Sequence, residues 1–220
     1  MSKPLFIFEM ANNHMGDTAH GVAIIRAIRE ACEGFDAFDF AFKLQYRDLD
    51  TFIHSSFKGR DDVKYVKRFE ETRLSQAEFQ TLINAMRECA FKTVCTPFDE
   101  KSVDLIEAQG IEVIKIASCS LTDWPLLERI ARSDKPIVAS TAGATPEEVD
   151  NVTSFFQHRN NDLTLMHCVA EYPTPDANLH IARIDALLRR YPSVCIGFST
   201  HEAPERTEPV MLALAKGATV

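Results

Sequence analysis

Short apolar, β-branched runs recur along the chain, and longer segments with helical spacing separate them. The runs at residues 5–11, 38–44, 93–97, 113–117, 137–140, 163–168 and 194–198 read as seven strands, and 218–220 would open another. Their near-continuous hydrophobicity predicts burial on both faces, the pattern of parallel strands joined by crossover helices. Between them Val22, Ile25, Ile28 and Cys32 keep helical spacing, as do Phe79, Leu82, Ile83 and Met86, and later Ile184, Leu187, Leu188 and Tyr191. Ser75 with Glu78, and Thr145-Pro146 with Glu148, read as capping boxes, while Gly34 and Gly110 sit where helices end.

This alternation predicts an α/β fold, a (β/α)₈ TIM barrel formed by a single domain over residues 1–220 and truncated at the start of strand eight. A barrel lacking its last unit would expose two edges, so the expectation is a segment of a longer protein. The stretch from Tyr46 to Leu74 is charged and aromatic, carries an extra helix, and reads as an active-site lid. A chain of 220 residues, 45% of them hydrophobic, can bury a sizeable core. The balance of 24 Lys+Arg against 32 Asp+Glu gives a formal charge of −8, which argues against a nucleic-acid partner. An anionic ligand must then meet locally placed cations. The start Met1-Ser2-Lys3-Pro4 lacks the apolar stretch of a signal peptide, and no run approaches the ~20 apolar residues of a membrane span, so no membrane association and a cytoplasmic location are expected. Six cysteines without a CxxC pair read as reduced thiols, not as a zinc site or disulfide framework.

In such a barrel the chemistry is built at the C-terminal ends of the strands. Lys43 and Lys115 stand inside apolar strands, where a lysine is costly to bury unless it is paired or meets an anion. Two of them suggest a phosphate or carboxylate ligand, with pairing to a carboxylate such as Glu9 as the competing reading. Thr96, Ser118, Ser140 and Ser199 could complete an anion cradle through their hydroxyls, although singly each reads more often as a turn or cap residue and only the set has weight. Glu9, in an apolar strand, would have its carboxyl raised by desolvation and so suit proton transfer, or would serve as the partner of a lysine. His201 is a metal-ligand candidate, although taken alone a histidine reads more readily as a hydrogen-bonded loop or core residue. His14 and His167 read as hydrogen-bonded loop or core groups. Tyr172-Pro173-Thr174-Pro175 is either a rigid loop presenting an aromatic ring to a ligand or a plain connector.

The set Glu9, Asn13-His14, Gly16-Asp17, Lys43, Gln45, Thr96-Pro97-Phe98-Asp99, Lys115-Ile116-Ala117-Ser118, Ser140-Thr141, His167-Cys168, Tyr172-Pro173 and Gly197-Phe198-Ser199-Thr200-His201 resembles the sialic acid synthase family in order and spacing. The likeness runs from Leu5 to Val220. It implies that Glu9 is the proton-transfer residue near the reacting carbons, with Lys115 also catalytic. It implies further that Lys43, Thr96, Lys115, Ser118, Ser140 and Ser199 hold phosphoenolpyruvate, and that Gln45 and Tyr172 contact an acceptor amino-sugar. His201 would be one of two histidines binding Mn²⁺ or Mg²⁺, the other following beyond Val220. The implied reaction joins C3 of phosphoenolpyruvate to the aldehyde of an N-acyl mannosamine-type sugar, polarised by the metal, and yields a nine-carbon 2-keto acid and phosphate. The resemblance also implies a homodimer in which a small C-terminal domain closes over the partner's site.

Several positions depart from the family pattern. Ala170 stands where Ser or Asn is usual, Phe198 and Thr200 replace a tyrosine and an aspartate near the metal histidine, Cys119 follows Ser118 in place of glycine, and Ala142-Gly143 replaces Gly-Met. These leave the acceptor open among sialic, legionaminic, pseudaminic and spore-coat-type sugars. Two other readings stay open. One is a 3-deoxy sugar acid synthase acting on a phosphorylated aldose, with Lys58, Arg60 and residues 64–68 as a second basic cluster; the other is a non-catalytic sugar- or phosphate-binding barrel.

Overall fold

The computed structural model describes residues 3–220 and divides into two compact units, one of Phe6–Val113 and one of residues 3–5 with Ile114–Val220. In the first, β1 (Leu5–Glu9), α1 (Thr18–Ala31), β2 (Asp39–Tyr46), α2 (Leu49–Phe52), α3 (Lys64–Glu71), α4 (Gln76–Glu88), β3 (Lys92–Pro97) and α5 (Glu100–Ala108) follow one another. The strands lie in the order β1-β2-β3, and β2 pairs parallel with β3 from Ala41↔Lys92 to Tyr46↔Pro97. That register carries β2 two residues past its predicted end. Gln45 and Tyr46 are held in the ladder by Thr96 and Pro97, an ordering effect of the neighbouring strand that β2's own sequence does not contain.

The core of this unit comprises Phe42, Leu44 and Tyr46 of β2, Val94 and Cys95 of β3, and the apolar stripe Leu82, Ile83 and Met86 of α4, all buried. The helix starts follow from local chemistry. Asp17 caps α1 by accepting from the Ala19 and His20 amides, Ser75 and Glu78 complete a reciprocal box at α4, and Asp99 caps α5 by accepting from the Ser102 amide at 2.7 Å. Gly21 lets α1 come close to α4, since a Cβ there would lie 2.7 Å from Leu82 Cδ2.

The second unit contains β4 (Val113–Ile116), α6 (Trp124–Ala131), β5 (Ile137–Ser140), α7 (Pro146–Gln157), β6 (Leu163–Cys168), α8 (Arg183–Arg190), β7 (Cys195–Ser199) and α9 (Glu208–Ala215). Here too the strands are parallel and neighbours in chain order, with Lys115↔Val138, Ser140↔Met166 and Cys168↔Ser199 in register. The capping box at Thr145 and Glu148, with Pro146 in the first turn, starts α7 as its sequence predicts. No helix of the described residues is long and apolar enough to cross a membrane.

Residues 218–220, expected to open a further strand, are not in strand conformation. They do make strand-like backbone bonds: the Thr219 amide donates to Ile196 O at 2.9 Å, the Phe198 amide to Val220 O at 2.8 Å, and the Leu5 amide to Thr219 O at 2.8 Å. Gly197 permits this approach, because a Cβ there would stand 2.5 Å from Val220 O, closer than real contacts allow, and the obstacle is backbone. Gly197→Ala should therefore lower stability by about 1–3 kcal/mol. Urea unfolding reads this out, and an unchanged midpoint would contradict the close packing of this segment on β7.

Candidate functional site

Within the first unit, Glu9 and Lys43 form an ion pair at the ends of β1 and β2, and the second Glu9 oxygen accepts from the Ala11 amide at 2.9 Å. The Met10 amide donates to Lys43 O at 2.9 Å and locks the two strand ends together. The expectation that Glu9 is buried in its strand is not met: its side chain is 39% exposed, against 13% for Lys43. β1 ends at Glu9, so this side chain leaves the apolar part of the strand. Lys43 is neutralised by this carboxylate. Thr96, at the end of β3, is buried with a hydroxyl that has no hydrogen-bond partner among the described residues, which leaves it able to bind a polar group.

Gln45 lines a cavity of about 530 Å³ together with Asn12, Arg47, Phe69, Thr72 and Lys101. Part of its wall comes from the 46–74 stretch that the sequence marked as a lid, here built from α2, a short 3₁₀ turn at Ser55–Phe57 and α3. Of the basic residues expected to form a second anion cluster, Arg60 pairs with Asp62, Lys67 with Glu71, and Lys58 donates to Asp50 O at 2.8 Å.

In the second unit, Lys115 is only 6% exposed and its ammonium donates to the Ser140 hydroxyl and to Ile116 O. Ser118 accepts from the Ala142 amide at 3.1 Å. The loops after β4 and β5 thus meet through two hydroxyls and one buried cation. His201 Nδ1 lies 2.9 Å from Val169 O and 3.9 Å from Cys168 Sγ. A carbonyl can only accept, so Nδ1 carries a proton, and in the neutral ring the lone pair is on Nε2. Burial acts to raise the Cys168 thiol, but hydrogen bonds with His201 and Ser199 and the charge on Lys115 outweigh it, and the net shift is downward. The same Cys168 contact raises His201 against the opposing effect of burial. The Tyr172 ring, largely exposed, meets the His201 imidazole edge-on at 5.4 Å, beside a cis Tyr172–Pro173 bond.

The donor set fits a metal at one position only. His201 presents a free Nε2 oriented by a carbonyl, as metal-binding imidazoles are, yet no group of three His, Cys, Asp or Glu side chains able to hold an ion gathers among the described residues.

A family model described as the NeuB family matches residues 28–220. The chain belongs to the NeuB family. It is 32% identical over 219 residues to the spore coat polysaccharide biosynthesis protein SpsE of Bacillus subtilis, covering 98% of this chain and 58% of that protein. A crystal structure of a candidate spore coat polysaccharide biosynthesis protein E from Chromobacterium violaceum shares 73% identity at a TM-score of 0.96, over 99% of this chain and 65% of that one. The N-acetylneuraminic acid (sialic acid) synthetase of Leptospira borgpetersenii, solved with citrate, shares 26% identity at a TM-score of 0.86, over 99% of this chain and 71% of that one. The chain therefore spans about three fifths of the SpsE relative's length. Its NeuB-family fold is shared with these proteins from end to end of the segment.

Two conspicuous histidines of the motifs are buried and hydrogen-bonded within the fold. His14 is buried, accepts from the Gly16 amide through Nδ1 at 3.1 Å and packs edge-on against Phe79. His167 is buried, donates through Nε2 to Leu179 O at 2.8 Å and stacks on Phe198. Desolvation lowers both below the ordinary value of 6.5. Both side chains charge more readily in the unfolded chain, so stability is full above that value and falls as pH drops through the interval down to the folded values. Nuclear magnetic resonance (NMR) titration should find both rings more neutral than charged at pH 6.5; a midpoint above 6.5 for either would contradict its burial as a neutral group.

Proposed function

We propose that this chain supplies the catalytic machinery of a sugar-acid synthase that condenses phosphoenolpyruvate with an N-acyl mannosamine-type sugar. The products would be a nine-carbon 2-keto sugar acid and inorganic phosphate. The observation that carries the reading is Lys115, an ammonium buried at a strand end with hydroxyls beside it, in a chain of the NeuB family. A buried cation lowers the cost of bringing a donor with two anionic groups, a carboxylate and a phosphate, out of water.

In this mechanism Lys115, Ser118, Ser140 and Ser199, with Lys43 and Thr96, bind the carboxylate and phosphate of the donor. C3 of phosphoenolpyruvate forms a bond to the aldehyde carbon while the aldehyde oxygen takes up a proton. Water adds at C2 and gives up one proton; phosphate then leaves by cleavage of the C2–O bond as the remaining C2 hydroxyl proton passes to it, giving the 2-keto acid. Glu9, hydrogen-bonded to the Ala11 amide and paired with Lys43, is the group assigned to these proton transfers, its charge held by the lysine until donor binding draws Lys43 toward phosphate. Gln45 and Tyr172 contact the acceptor. His201 can contribute one ligand to a Mn²⁺ or Mg²⁺ ion, which would supply Lewis acidity toward the aldehyde. The paired state of Arg60 and Lys67 gives no support to a site for a phosphorylated aldose.

The test is phosphate release from phosphoenolpyruvate by the full-length protein, with Mn²⁺ and a panel of N-acyl mannosamine-type sugars. Release should require sugar and should fall at least about 100-fold in Glu9→Gln and in Lys115→Ala. Folded protein that releases no phosphate with any sugar would instead favour a binding barrel without chemistry.

A further inference from the structure

Arg47 lies two residues beyond Gln45 and just past the end of β2, and none of the sequence motifs includes it. Its guanidinium is set between two aromatic rings, with Cζ 3.9 Å from the centroid of Phe98 and 4.4 Å from that of Phe69; a third ring, Phe52, stands at 5.9 Å. These rings come from three separate segments: the loop after β3, helix α3 and helix α2. Stacking holds the planar guanidinium in one orientation at little entropic cost, something the flexible point charge of a lysine would not match. From that position Nη2 donates to Gln45 Oε1 at 2.8 Å.

We propose that Arg47 is a positioning residue that fixes the Gln45 carboxamide so that its NH₂ group, not its oxygen, is offered to the occupant of the cavity. Arginine can only donate, so the amide oxygen must face it, and what Gln45 has left is a pair of N–H donors. The occupant must present a hydrogen-bond-accepting oxygen there, an acyl carbonyl or a hydroxyl lone pair, and the cavity of about 530 Å³ has room for a sugar. Identifying that occupant as the acceptor sugar rests on the synthase reading above; the orientation of Gln45 by Arg47 does not. The clamp also ties specificity to the 46–74 stretch, since Phe52 and Phe69 belong to it.

Steady-state kinetics on the full-length protein test the functional half. Arg47→Met should raise KM for the acceptor about tenfold, with kcat and KM for phosphoenolpyruvate within about twofold of wild type, the pattern of lost uniform binding. Arg47→Lys, which keeps charge but not the planar fork, should rescue only part of this. In a Gln45→Ala background Arg47→Met should add less than about twofold. Full additivity, or an equal rise in KM for phosphoenolpyruvate, would overturn the proposal in favour of a general structural role. The ¹H–¹⁵N signals of the Gln45 side-chain amide give a readout that needs no turnover. They should be shifted from those of free glutamine in wild type and move toward them in Arg47→Met. If wild type releases no phosphate with any sugar, the synthase reading fails while these signals still decide the positioning; signals unmoved by Arg47→Met overturn the positioning whatever the kinetics show.

Discussion

Burying an ammonium in a four-residue strand whose other members are Val113, Ile114 and Ile116 is the constraint around which the second unit is arranged. An uncompensated charge there would cost several kcal/mol, so the neighbouring strands must supply its solvation. The parallel register does this: β4 lies beside β5, and the strand end of β5 brings the Ser140 hydroxyl to Lys115. The next strands extend the polar row, with Cys168 opposite Ser199 and the thiol lowered in part by the Lys115 charge. In the first unit the same problem has a different solution. Lys43 is neutralised by Glu9, whose carboxylate remains open to solvent. One unit brings a hydroxyl and a carbonyl to its strand-end lysine, and the other brings a carboxylate.

Much of this was legible in the sequence because the relevant interactions are local. The capping box Thr145-Pro146-Glu148 is complete within four residues, and the strand at 163–168 is bounded as its apolar run indicates. Lys115 announces itself by being a charge among β-branched residues. Less legible were properties that depend on neighbours distant in sequence. Glu9 follows four apolar residues and reads as buried, yet the strand ends at that position and exposes it. The extension of β2 through Tyr46 depends on the register with β3. Asp17 and Asp99 sit in motifs full of ligand-binding residue types but work as helix caps, which their position just ahead of a helical period could have indicated.

Arg47 was missed for a similar reason. The clue present in the sequence is that Gln45 and Arg47 are two residues apart at a strand end and so point to the same side. The deciding partners, Phe69 and Phe98, are far from it along the chain, and only the fold brings the rings to the guanidinium. The family resemblance named residues expected to touch substrate; the structure adds a residue that would govern how one of them is presented.

The central claim is that the buried Lys115 is there to meet the anionic donor. Calorimetric titration of the full-length protein with phosphoenolpyruvate, wild type against Lys115→Ala, addresses it most directly. The account predicts saturable binding by wild type and a loss of affinity of at least about tenfold in the variant; equal affinity in a folded variant, or no uptake by wild type, would contradict it.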